Sequence, residues 1–518
     1  MMEQLTLFGT LGIEEEIADK ANYIVDSFSA DSFCPEAARQ ALEEKYKPIL
    51  EVTRKFDRRS VSYQLSKKDA LHSWLKYKEG FSADLVNILL DDMGAVPGDT
   101  VMDPFMGSGT TALVCQMRGI NSIGYDIMPI SGVSISAKAN VMRYDISELQ
   151  KLIGEFSDLQ MPEDYSGRTP YITITDTAYP DFNERFIQYA TEWISSSSYS
   201  PEAKNLFTLC MINSLERCSY TSKSGQYLSW DSRSKKVIEA NKERAASGRK
   251  LLPEHHCRET VENIKDAVID ELRHVLSDIK MIQSNGYTDS QATIQYKQNS
   301  VLFELPQIPD GLLKGVITSP PYCNRYDYTR TYALELVYLG IGEKTIKEMR
   351  QALLSCTVES KPKIEALREY YASIGASERF DYIYSTIKSN PAFQEILKAM
   401  DMRKENGDLN NNGVIRMVEG YFTELAFIYA ELYRACKKGA MVAFVNDNVR
   451  YGGEVIPVDY LSTSFAEQFG FTPVKVYCLK QQKGNSSQQM KKYGRVALRK
   501  SVTIWRKDYF CDRGFRLF

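Results

Sequence analysis

Histidine and tryptophan are scarce, with four of each in 518 residues, and no stretch stays apolar for long enough to cross a bilayer. The missing apolar run argues against a membrane-spanning helix and leaves a soluble protein as the expectation. The start, Met1-Met2-Glu3-Gln4-Leu5, has no basic segment followed by an apolar one, so no secretory signal is read and the cytosol is the expected compartment. Ten cysteines are scattered without a CxxC pair. Tetrahedral zinc draws on two spaced pairs of ligands, so His255-His256-Cys257 reads as a solvated loop, no metal is expected, and the cysteines are taken as reduced core residues. A strong charge excess is also missing: the net charge of −3 argues against indiscriminate binding of nucleic acid. That balance hides a local asymmetry. From Lys475 to Lys507 the basic residues Lys475, Lys480, Lys483, Lys491, Lys492, Arg495, Arg499, Lys500, Arg506 and Lys507 follow one another with no acidic residue between them, which suits a polyanion.

The remaining composition is that of an ordinary globular chain, at 43% hydrophobic and 25% charged residues, long enough for one large domain with inserts. Residues 1–59 read as a helical N-terminal extension. Ser82 is a candidate N-cap for a helix through Leu85-Val86-Asn87-Ile88-Leu89-Leu90, which runs into the turn Pro97-Gly98-Asp99. Short apolar runs then alternate with helical ones: Thr100–Asp103, Asn121–Tyr125, Ala292–Tyr296, Gly315–Thr318 and Ala440–Val445 read as strands, and Thr111–Arg118 as a helix. Val474–Leu479 and Ser501–Trp505 pair as a C-terminal hairpin around the basic loop. The pattern predicts an α/β fold, a doubly wound, mostly parallel Rossmann-like sheet with largely helical inserts. Two intervals are too long for simple crossovers. The predicted organisation is therefore 60–145 (cofactor half), 146–290 (helical insert), 291–340, 341–415 (second helical insert) and 416–518, with both inserts in a second lobe.

Asp103-Pro104-Phe105-Met106-Gly107-Ser108-Gly109-Thr110-Thr111 leaves a strand and opens a helix, the setting in which glycines let a ligand approach the backbone. Gly107 to Ala112 also satisfies GxGxxA, and Asp126 ends the next strand where an acid binds ribose hydroxyls, so a dinucleotide site competes. No lysine follows Gly109, which argues against a triphosphate loop. The Asp103 carboxylate shifts the balance, since it repels a pyrophosphate and suits a ligand with an ammonium or sulfonium group. S-adenosyl-L-methionine carries both.

Gly315-Val316-Ile317-Thr318 feeds Ser319-Pro320-Pro321-Tyr322 at a strand's carboxyl end. Two prolines stiffen the corner and remove two amide donors, leaving an acceptor surface. The exocyclic amine of cytosine or adenine is a poor nucleophile, its lone pair delocalised into the ring. Accepting its protons at Ser319 and the Pro320 carbonyl localises that pair, while Tyr322 can stack on an extruded base. Alone, the tetrapeptide is only a rigid turn.

Together the two motifs resemble those of the DNA amino-methyltransferases, the cytosine-N4 and adenine-N6 family. The resemblance implies cofactor contacts from Phe105, Gly107, Gly109 and Asp126, with Asp103 and Thr110 in the same turn, and base contacts from Ser319, Pro320, Pro321 and Tyr322. In that family SPPY leans towards cytosine N4 and DPPY towards adenine N6. The lead-in Leu71 to Ser82 resembles the segment that closes on the methionine moiety, with Tyr77 as its candidate contact. Where the third strand often ends in an acid near the adenine ring, this chain has Gln298-Asn299-Ser300, and Asn299 is the candidate there.

The implied partner is double-stranded DNA, with a companion restriction endonuclease acting on the same site, in a bacterial or archaeal cytosol. Within the basic loop Lys480, Lys483, Asn485, Gln488, Lys491, Lys492 and Arg495 interleave phosphate-binding and base-reading side chains. Arg233-Ser234-Lys235-Lys236, after Tyr227-Leu228-Ser229-Trp230, is a second candidate. Adenine N6 methylation, an RNA amino-methyltransferase, a dinucleotide-dependent oxidoreductase and a non-enzymatic DNA-binding protein stand as alternatives.

Overall fold

The computed structural model describes residues 37–224, 227–285, 291–479 and 498–508. Its strands are, along the chain, β1 (Leu50–Val52), β2 (Thr100–Asp103), β3 (Asn121–Asp126), β4 (Thr221–Ser224), β5 (Tyr227–Trp230), β6 (Ile294–Gln298), β7 (Leu313–Thr318), β8 (Cys436–Asp447), β9 (Val449–Tyr451), β10 (Glu454–Ile456), β11 (Thr472–Cys478) and β12 (Lys500–Arg506). One eight-stranded sheet has the order β1-β11-β12-β8-β7-β2-β3-β6, and β4–β5 and β9–β10 are separate antiparallel pairs. From β8 to β6 every neighbouring pair is parallel, β12 is antiparallel to both β8 and β11, and β1 lies parallel to β11 at the edge. This is the doubly wound, mostly parallel sheet that the alternation predicts, with the expected C-terminal antiparallel pair.

Successive side chains of a strand leave opposite faces, and the core follows that period. Met102, Val316, Val442, Phe444 and Trp505 enter one apolar cluster with the helices Gly413–Ala435 and Val458–Gln468. Their neighbours Val101, Ile317, Ala443, Val445 and Ile504 enter another with the helix Ala83–Asp92. Ser82 caps that helix as expected, accepting from the Leu85 N–H at 3.4 Å. Trp505 is fully buried, stacks on Phe444 at 5.3 Å, meets Tyr429 edge-on at 5.0 Å and donates its indole N–H to Thr463 at 3.1 Å.

The inserts share a core only in part: Ile346, Met349 and Leu353 of the second join the cluster of the first, and the later helices of the second do not. Helices Ile146–Asp158, Asp181–Ser196, Pro201–Leu215 and Ile264–Ser284 bury Phe156, Phe186 and Phe207 in a cluster that also takes in Leu71, Trp74, Leu75 and Tyr77. Trp74 donates its indole N–H to Asp278 at 2.8 Å, tying the lead-in to the insert. Helices Ile364–Ser373, Ser377–Ser389 and Pro391–Glu405 instead bury Leu367, Phe380, Phe393 and Ile396 against the sheet's own cluster. The polar average of 341–415 conceals apolar stripes at helical spacing, and these complete the sheet's core.

Within residues 37–59, the described part of the N-terminal extension, the chain is not helical throughout. Helix Ala37–Tyr46 is present, but Leu50–Val52 joins the sheet edge, with Leu50 opposite Val476 and Val52 opposite Cys478. Three residues are too few to show a period of two.

Trp505→Ala is predicted to cost about 3–5 kcal/mol, read as a lower denaturant midpoint, because removing a fully buried indole leaves a cavity.

Candidate active site

β2 and β7 are parallel neighbours, so the glycine turn and the Ser-Pro-Pro-Tyr corner leave the same edge of the sheet. Chain order reverses here, with β3 and β6 on one side and β8 on the other, the crevice where open α/β sheets bind ligands. Asp103 joins the two corners: its Oδ1 accepts from the Phe105 N–H at 3.1 Å and from the Thr318 hydroxyl at 2.5 Å. Thr111 adds a second tie, donating to the Ile317 carbonyl at 3.3 Å. Burial pushes the Asp103 carboxyl up to about 6, against the lowering effect of the Thr318 hydrogen bond.

Asp126 secures the other side of the turn. Its two oxygens accept from the Gly107 and Met128 N–H groups, each at 2.8 Å. Burial raises this carboxyl too, opposed by the same backbone donors. The glycines have different tasks. Gly107, at φ 51°, places its Cα where a methyl would come within 3.1 Å of the Tyr77 ring, on the cavity wall. Gly109, at φ 89°, begins the helix Thr110–Met117, and a methyl there would meet Ile135 at 2.6 Å.

Among the predicted cofactor residues, Tyr77, Asp103, Phe105, Gly107, Thr110, Asp126 and Asn299 line one cavity, and Ser319 and Pro321 line it with them. Gly109, Pro320 and Tyr322 do not. Gly109 packs against Ile135 at the start of its helix. Asn299 is exposed and occupied, donating to Glu304 at 2.7 Å and accepting from the Ser300 N–H at 2.8 Å.

Glu79, Ser108, Val301, Tyr328, Leu353 and Leu354 also line the cavity and were not singled out from the sequence. Glu79 sits inside the quoted lead-in, so its segment was visible; it accepts from the Tyr332 hydroxyl at 2.5 Å, and Tyr332 stacks on Tyr77 at 5.2 Å. Leu353 and Leu354 come from the second insert, and no local signal marks them. At the corner itself Ser319 donates to the Tyr322 hydroxyl at 3.2 Å and lies 3.5 Å from the Val445 carbonyl.

The basic candidates divide. Lys480, Lys483, Asn485, Gln488, Lys491, Lys492 and Arg495 lie outside the described residues. Their flanking cations are committed within the fold: Arg499 pairs with Asp459 at 2.8 Å, Lys475 with Glu51 at 2.9 Å, and Lys507 donates to the Tyr433 and Cys436 carbonyls. Arg233 is also engaged within the fold, with four of its five guanidinium N–H donors directed to Asp231 and to the carbonyls of Arg258 and Glu259. Among the described residues no group of three or more His, Cys, Asp or Glu is placed to hold a metal ion, and no helix is long and apolar enough to cross a membrane.

A family model described as DNA methylase, for N6 and N4 methyltransferases, matches residues 29–130, which span the lead-in, the glycine turn and Asp126. Over 486 residues the chain is 48% identical to the type II methyltransferase M.BsoBI of Geobacillus stearothermophilus, covering 94% of this chain and 95% of that protein. The chain belongs to the type II DNA methyltransferases of the N4/N6 amino-methyltransferase family. The methyltransferase is also 35% identical over 487 residues to M.AvaI of Nostoc, covering 92% of this chain and 95% of that one. With M.MjaII of Methanocaldococcus jannaschii it shares 32% identity over 148 residues, 27% of either chain. Likeness to M.BsoBI and M.AvaI runs through both inserts, so these belong to the methyltransferase as much as the sheet does.

Two predictions follow from the buried acid and the helix start. The Asp103 carboxyl stands above its unfolded value, so the stability it contributes is full below about pH 4 and is lost as pH rises through about 6. Asp103→Asn keeps the acceptor and removes that loss, so the variant gains on wild type between pH 4 and 7, by on the order of 2–3 kcal/mol, in melts across that range. Gly109→Ala is predicted to destabilise by at least about 1 kcal/mol through its left-handed backbone alone, seen as a lower melting temperature.

Proposed function

We propose that this methyltransferase uses S-adenosyl-L-methionine to methylate the N4 amino group of a cytosine flipped out of duplex DNA. One observation carries the reading: the cavity that Ser319 and Pro321 share with the glycine turn is lined by Glu79, Asp103 and Asp126 and, among the described residues, by no lysine, arginine or histidine. Such a lining attracts a net cation and repels a pyrophosphate, which favours the sulfonium cofactor over a dinucleotide. When bound, this cofactor supplies an electrophilic methyl group. Tyr77, Phe105 and Gly107 would hold it from the turn and lead-in, Asp126 would take its ribose hydroxyls, and Asn299 would stand near its ring.

The chain's own residues prepare the nucleophile. Ser319 and the Pro320 carbonyl accept the two amino protons of the base, localising a lone pair otherwise shared with the ring. A flipped base is needed because an amino group inside the duplex cannot reach the cavity. SPPY rather than DPPY at 319–322 supports cytosine over adenine. The basic residues Lys480, Lys483, Lys491, Lys492 and Arg495, with Asn485 and Gln488, are assigned to DNA contact, phosphates by the cations and base edges by the amides. Like M.BsoBI and M.AvaI by name a type II enzyme, it would shield its host's DNA in the cytosol from a companion endonuclease of the same specificity.

Mass spectrometry of DNA nucleosides after incubation with labelled cofactor tests the reading: 4-methylcytosine is expected, N6-methyladenine moves the target to adenine, and no labelled base contradicts it. Ser319→Ala is expected to lower the single-turnover rate roughly 100-fold with cofactor affinity unchanged.

A further inference from the structure

A serine hydroxyl can give one hydrogen bond and receive two, so Ser319 can accept from an amino group only while its own proton is directed elsewhere. Two neighbours can take that proton: the Val445 carbonyl at 3.5 Å and the Tyr322 hydroxyl at 3.2 Å. The carbonyl is an obligate acceptor. The phenol is not; with its O–H turned towards Ser319 it would occupy one of the two lone pairs and leave the serine proton only the longer contact to Val445.

Lys500 stands beside that phenol, its ammonium 5.2 Å from the ring centroid of Tyr322. It opens β12 directly across from Asp447 of β8, and the two charges lie 3.8 Å apart with 13% of either side chain exposed. Asp447 Oδ1 is buried without a hydrogen-bond partner. Desolvating two charges at a strand end that the backbone ladder already pairs is costly for stability alone. Burial pulls the Lys500 ammonium down, but Asp447 and Tyr322 outweigh it and hold the pKa above the ordinary lysine value. Burial likewise keeps the Tyr322 hydroxyl raised and neutral, against the opposing pull of Lys500.

We propose that Lys500 is a positioning residue that sets the hydrogen-bond polarity of the Ser-Pro-Pro-Tyr corner: its charge turns the Tyr322 oxygen into an acceptor, Tyr322 takes the Ser319 proton, and Ser319 is left free to accept from the base. A lysine suits this task because it donates and never accepts. No proton moves along the chain of groups; the polarity is set before the base arrives. This rests on the reading that Ser319 accepts an amino proton.

The test is a double-mutant cycle of Lys500→Met with Ser319→Ala, followed by single-turnover methylation of a DNA duplex, cofactor affinity and the salt dependence of DNA binding. Lys500→Met is expected to slow methylation about tenfold in the wild-type background and to add less than twofold in the Ser319→Ala background, with cofactor affinity and the salt slope unchanged; Lys500→Arg, also an obligate donor, retains most of the rate. A tenfold loss in both backgrounds, or a weaker salt slope with the rate intact, overturns the proposal, the latter making Lys500 a phosphate contact. Should Lys500→Met lower the melting temperature, Tyr322→Phe removes the acceptor oxygen and carries the same cycle. A Ser319→Ala enzyme that turns over like wild type contradicts the underlying reading of Ser319 instead.

Discussion

Asp103 ends β2 with its carboxylate buried, and the oxygen that accepts the Thr318 hydroxyl at 2.5 Å is the one that caps the Phe105 N–H. Two corners more than two hundred residues apart in sequence are held together by one acid. Without that bond β2 and β7 would still pair through their backbones and Thr111 would still reach the Ile317 carbonyl, but the glycine turn and the Ser-Pro-Pro-Tyr corner would lose the buried anchor at the point where they form one cavity. A buried carboxylate is tolerated there because two donors, the Phe105 N–H and the Thr318 hydroxyl, act on it.

The rest of the site is arranged around that anchor. Asp126 restrains the glycine turn from the β3 side, and Tyr77, stacked on Tyr332, packs against the same turn at Gly107. Tyr77 belongs to the core of the first insert, so the insert shapes the cavity as directly as the sheet does. The result is a pocket in which acids outnumber bases, next to a corner whose polarity is governed from behind by a buried ion pair. Charge of one sign selects the ligand, and charge of the other orients the hydroxyl that meets the substrate.

Much of this was legible in the sequence. Val101-Met102 and Ile317-Thr318 announce buried parallel strands, Gly107 and Gly109 a turn, and Pro320-Pro321 a stiff corner, because each effect is local. Effects needing a partner distant in the chain were not. Asp103 reads as facing a ligand, and nothing in its neighbourhood announces the bond to Thr318; Gly109 reads as a cofactor contact, and its packing against Ile135 is equally hidden. Arg233, Lys475 and Arg499 looked free to meet DNA, since nothing in their neighbourhood shows that Asp231, Glu51 and Asp459 lie against them. The helices of 364–405 looked like a separate lobe, because composition averages over the apolar stripes that seat them on the sheet.

The central claim is that the cavity between β2 and β7 is built for a cationic methyl donor, and calorimetric titration with two ligands meets it most directly. S-adenosyl-L-methionine is predicted to bind with a single site per chain, while NAD gives no saturable heat over the same concentrations. Tight NAD binding with no binding of S-adenosyl-L-methionine would contradict the account.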